Sequence, residues 1–75
     1  MRTSKNKSSS EGARIRRLRM DSGMSQEDLA RQVGVTTHTI WRLENGPIFN
    51  PRLDTLRAIA KALGVGVAVL LGPVA

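Results

Sequence analysis

The residues best placed to do chemistry run from Thr36 to Asn45. Placed on a helix at about 100° per residue, Thr37, His38, Trp41, Arg42 and Asn45 share one sector roughly 140° wide. Ile40 and Leu43 fall on the opposite side and can seat the segment on a core. The outward sector holds a hydroxyl, an imidazole, an indole, a guanidinium and a carboxamide, with no carboxylate. Such a set suits contact with base edges and phosphates. An arginine donates two bonds to guanine O6 and N7, an imidazole donates to a purine N7 or a phosphate, and a threonine methyl meets a thymine methyl. A polar face also suits plain solvation, so its meaning depends on the elements that hold it.

Those elements are legible in the punctuation. Ser25 opens a helix through Val33, with Asp28 three residues on in a variant of the capping box. Gly34 stops it and Val35 bridges to the next segment. Thr36 caps that segment, and Asn45-Gly46 ends it. Two short helices around a tight glycine turn form a helix-turn-helix unit, which lays its second helix in a major groove. Upstream, a helix runs from about Glu11 to Ser22, with Ser10 as cap and Ile15, Leu18 and Ser22 on one face. Gly23 ends it. Downstream, a loop over 46–51 leads to a helix from about Arg52 to Leu63, with Leu53, Leu56, Ile59, Ala60 and Leu63 at spacings of three and four. The tail from Val65 has a β-branched content close to that of a strand. A short fifth helix over Val67–Leu71 is the preferred reading.

Composition narrows the function. Seventy-five residues leave room for one small domain. We divide it into a disordered basic arm (1–9), a helical domain (10–72) and a short tail (73–75). The net charge is +6, and residues 1–24 carry five of those charges. The asymmetry points to an anionic partner, nucleic acid before an acidic membrane surface. The arm either follows phosphates or is a mobile, dispensable tail. No cysteine is present, and His38 is the single histidine. No acidic partners sit at helical spacing from it, so no metal site is expected. No cofactor is implied. No apolar run reaches the ~20 residues of a membrane span, and the N-terminus lacks a signal's apolar stretch, so cytoplasmic location follows by default. No nucleophile is set beside a base, which places an enzyme last among the readings.

The combination of IRRLR (Ile15–Arg19), SQEDLA (Ser25–Ala30), GVT (Gly34–Thr36), LENG (Leu43–Gly46), Asn50-Pro51 and IAKALGV (Ile59–Val65) resembles the Cro/repressor-type, or XRE, family of helix-turn-helix proteins. The resemblance spans about residues 12 to 71. It implies an all-α, four- to five-helix, lambda-repressor-like fold that binds operator DNA as a dimer. It also implies roles. Thr37, His38 and Arg42 match base-reading positions, with Trp41 beside them. Gln26 matches a phosphate-holding glutamine, flanked by Ser25 and Thr36 as backbone contacts. Asn45 matches a phosphate contact, and Arg52 a position from which some relatives approach the minor groove. Arg19 and Glu44 match a structural ion pair that orients the first helix against the third.

Departures from the family pattern are informative. Pro47-Ile48-Phe49 replaces basic and polar loop residues, and Phe49 either anchors the loop on the core or faces a partner subunit. Ala68 and Val69 stand where acidic residues are usual. The apolar tail is too large for a solvated tip. Phe49, Val67, Val69, Leu70 and Val74 are the candidate homodimer contacts, and the tail is also a possible seat for another protein. Trp41 either packs on the DNA backbone or lies along the second helix. The leading reading is a regulator, most simply a repressor, on a near-palindromic operator. Its alternatives are an antitoxin that binds its operator and a toxin, and an interaction module that reads no DNA.

Overall fold

A computed structural model describes residues 8–72. The arm residues 1–7 and Val74 lie outside the described residues. Five helices follow one another: α1 (Ser10–Asp21), α2 (Gln26–Val33), α3 (Thr37–Asn45), α4 (Leu53–Leu63) and α5 (Val67–Leu71). There is no strand among the described residues, and the tail resolves to a helix.

Each helix drives one side chain completely out of solvent: Ile15, Leu29, Ile40, Ile59 and Leu70 are all 0% exposed. Burial of this kind stabilises by about 1.5–3 kcal/mol per side chain. Ala30, Leu43, Leu56 and Ala60 complete the core, and Phe49 and Val67 pack against it half-buried. Two expectations change here. Leu70 is a core residue rather than an interface residue, because α5 folds back on α1 and α4 and uses Leu70 as its anchor. Leu53 shares the sequence stripe of α4 yet stays 58% exposed, because it is the first residue of the helix and projects beyond the core.

The caps explain the ends. Ser9, not Ser10, caps α1: its Oγ accepts from the Gly12 amide at 2.9 Å while Ser10 is already helical. Ser25 and Asp28 form a complete capping box on α2, Ser25 Oγ accepting from the Asp28 amide (2.9 Å) and Asp28 Oδ2 from the Ser25 amide (3.0 Å). Gly34 closes α2 at φ 88°, a left-handed conformation that only glycine adopts without cost.

The capping box also holds the Asp28 carboxyl below its ordinary value. The Ser25 backbone amide is the main cause, followed by the Ser25 hydroxyl; burial opposes them, and Arg31 adds to the lowering. A carboxyl depressed in the folded state contributes stability above its unfolded pKa, and that contribution is lost as pH falls through the folded value. Thermal melts from neutral pH downward should therefore show wild type losing its advantage over Asp28→Asn below about pH 4. Parallel curves for the two proteins over that range would contradict the assignment.

Candidate nucleic-acid interface

The α2–α3 unit fixes the outward face. Gly34 and Val35 amides both donate to the Ala30 carbonyl, which turns the chain within three residues. Thr36 then caps α3, its Oγ1 accepting from the Thr39 amide at 3.1 Å and lying 2.9 Å from the Thr39 hydroxyl. Ile40, Leu43 and Glu44 are the buried side of α3. Thr37, His38, Trp41 and Arg42 are all exposed.

Trp41 is 50% exposed and its ring lies near-parallel to that of His38, 6.1 Å away with planes 7° apart. The indole is thus on the outer surface, not in the core. The i,i+3 spacing of the two rings was a usable signal for this pair. Arg42 makes no ion pair among the described residues and stands beside an open groove of about 670 Å³ between the end of α3 and the start of α4. Ile48, Pro51, Arg52 and Thr55 also line the groove. Arg52 is the N-cap residue of α4 and makes no side-chain cap bond. Its only partner among the described residues is Asp54, at 3.8 Å and solvent-exposed, a pair of little energetic weight.

Besides Ser25 and Thr36, Asn45 and Gln26 are engaged within the protein. Asn45 Nδ2 donates to the Trp41 carbonyl at 3.0 Å and so satisfies the end of α3. Gln26 Nε2 donates to Glu44 Oε1 at 3.1 Å. Glu44 is 1% exposed and also receives a two-pronged contact from Arg19, Nε to Oε2 at 2.7 Å and Nη2 to Oε1 at 3.1 Å. The remaining Arg19 prong, Nη1, donates to the Met24 carbonyl at 2.7 Å, just before α2. Sequence reasoning paired Arg19 with Glu44 but missed Gln26 and Met24, since neither contact has a local spacing signature.

At the other end, Arg14 Nη1 donates to the Leu70 carbonyl at 3.3 Å and ties α5 to α1. Of the residues weighed as an interface, Val69 is exposed, Val67 of the tail and Phe49 of the 46–51 loop are half-buried on the core, and Leu70 is sealed inside it. Leu71, 48% exposed, adds to the outer apolar surface of α5. Among the described residues, no helix is long and apolar enough to cross a membrane.

A capped helix, a left-handed glycine turn and a second helix with an acid-free outer face define a helix-turn-helix domain. The family model described as "Helix-turn-helix domain" matches residues 12–71, and the chain belongs to that family. It is 48% identical over 50 residues to an HTH-type transcriptional regulator of Methanothermobacter thermautotrophicus, covering 67% of this chain and 71% of that protein. It is 36% identical over 59 residues to the cryptic phage CTXphi transcriptional repressor RstR of Vibrio cholerae, covering 79% of this chain. The matched region is 52% of RstR, about half its length. Among solved structures it is similar to the N-terminal DNA binding domain of SinR from Bacillus subtilis, with a TM-score of 0.78 and 30% identity over 84% of this chain and 91% of that one.

Proposed function

We propose that this chain is a sequence-specific DNA-binding transcriptional regulator, acting as a repressor that binds a near-palindromic operator as a homodimer. The observation that carries this is the outer face of α3. Thr37, His38, Trp41 and Arg42 are exposed together on a helix whose other side is locked into the core, and no carboxylate stands among them. The names of RstR and SinR's domain, a transcriptional repressor and a DNA binding domain, support the same reading.

In this reading α3 enters the major groove. Thr37, His38 and Arg42 read bases, and Trp41 packs at the groove edge. Ser25, Gln26, Thr36, Asn45 and Arg52 serve the backbone, Asn45 through the second N–H of its Nδ2, the first being held by the Trp41 carbonyl. The exposed Val69 and Leu71 of α5 supply the apolar contact between subunits, with Leu70 excluded by its burial. A two-fold dimer sets its reading helices about 34 Å apart, one turn of DNA. In this reading the protein works by binding rather than catalysis, as the match to a helix-turn-helix family supports.

Selection from a random duplex pool at about 150 mM salt, followed by sequencing, tests this directly. Wild type should enrich a motif with two symmetric halves. Arg42→Ala should relax one symmetric base position, at a cost of about 1–3 kcal/mol per half-site. If nothing enriches and retention only falls smoothly with salt, the protein reads no sequence.

A further inference from the structure

We propose that Glu44 is a positioning residue for DNA binding: held by Arg19, its buried carboxylate fixes the Gln26 carboxamide so that a free amide N–H faces a backbone phosphate at the start of α2. The inference rests on the reading that the α2–α3 unit docks on DNA, and it deepens that reading.

The geometry leaves Gln26 little choice. A carboxylate only accepts hydrogen bonds, so the Gln26 amide must turn its nitrogen, not its oxygen, toward Glu44. The bond is 3.1 Å, and its acceptor oxygen is shared with Arg19 Nη2. Glu44 is 1% exposed, so bulk water does not compete for it. It cannot rotate away either, because Arg19 grips both of its oxygens and is itself tied to Met24. One Gln26 N–H is consumed, and the second remains. Gln26 is the first residue of α2 and half-buried, at the edge of the exposed face. Ordering a free glutamine only on binding costs roughly a factor of ten in affinity. Glu44 removes much of that cost in advance. The ion pair therefore serves the DNA contact as well as the packing of α1 on α3.

The test is a double-mutant cycle with wild type, Gln26→Ala, Glu44→Gln and the double variant. Each is titrated with the duplex that wild type enriches, and with the same duplex carrying single methylphosphonates. Glu44→Gln replaces one acceptor oxygen with a donor. Gln26→Ala is expected to weaken binding roughly tenfold or more, the scale of a hydrogen bond to a charged group. Glu44→Gln should cost several-fold, and that cost should vanish once Gln26 is alanine. Both single variants should lose sensitivity to the same one methylphosphonate. A Glu44→Gln penalty equal in both backgrounds assigns it a packing role alone and overturns the proposal. An unchanged affinity for Gln26→Ala overturns it too, while leaving DNA binding itself intact. Absence of any enriched duplex defeats the DNA reading instead. Should Glu44→Gln fail to fold, ¹⁵N relaxation of the wild-type side-chain amides decides. Gln26 should be as rigid as the backbone while exposed Gln32 is mobile. Equal mobility of the two overturns the proposal.

Discussion

Arg19→Met should lower the stability of the domain by about 3–5 kcal/mol, the range found when one partner of a buried ion pair is removed. Arg19 and Glu44 are 8% and 1% exposed, and their closest contact is 2.7 Å. Methionine fills much of the same space but leaves the carboxylate with a single donor, Gln26. The Met24 carbonyl also loses its partner. Small domains have about 5–15 kcal/mol in total, so much of the margin goes. At roughly 4–8 °C per kcal/mol for a domain of 60–100 residues, the melting temperature should fall by more than 12 °C. Urea titration measures the same loss. The companion variant Arg19→Met/Glu44→Leu should recover most of it, because an apolar pair leaves no stranded charge. A loss below about 1 kcal/mol for the single variant would place the pair with surface ion pairs.

Gly12→Ala should also destabilise, against the local rule. Alanine is favoured over glycine inside a helix by about 1 kcal/mol. Here the added Cβ would overlap the Leu43 carbonyl oxygen and stand 3.1 Å from the Glu44 carbonyl oxygen. Both are backbone atoms and cannot swing aside, so α1 must lift from α3. Overpacking of this kind costs about 1–3 kcal/mol, more where the backbone must move, and the net should be a loss of about 2 kcal/mol. Gly66→Ala is the matched control: nothing lies within 4 Å of its Cβ position, and the backbone there is extended at φ −80°. It should cost less than about 1 kcal/mol, the scale of replacing glycine by alanine at a helix N-cap. If Gly12→Ala proved as mild as the control, α1 would not rest as closely on α3 as drawn.

Much of this architecture could be read from the chain before any coordinates. Glycines at 23, 34 and 64 carry positive φ where the helices stop, and Ser25 with Asp28 marked the start of α2 by type and spacing alone. These signals are local, so a sequence holds them whole. Leu53 and Leu70 mark the limit. Periodicity tells which residues share a face, not how far the neighbouring helix extends, so Leu53 ran past the core unannounced. The valines of the tail argued for a strand, but Leu70 finding the common core outweighed local preference. Ser9 and Ser10 are chemically equal caps, and only the approach of α1 to Gly46, whose carbonyl accepts from the Ser9 amide at 3.1 Å, decides between them. On the candidate interface, the exposed set on α3 followed from wheel phase. The bond from Gln26 to Glu44 crosses 18 positions and depends on packing that no spacing encodes.

The two sides of α3 share no residue. Ile40, Leu43 and Glu44 hold the helix in place, while Thr37, His38, Trp41 and Arg42 are exposed on its outward side. Exposed substitutions of this sort change stability by about ±0.5 kcal/mol. A lineage can therefore replace the outward four, one at a time, without risking the fold that presents them. Under the proposed function, the repertoire of sites such a chain recognises can diversify quickly over a scaffold that changes slowly, because the two properties are written in separate letters.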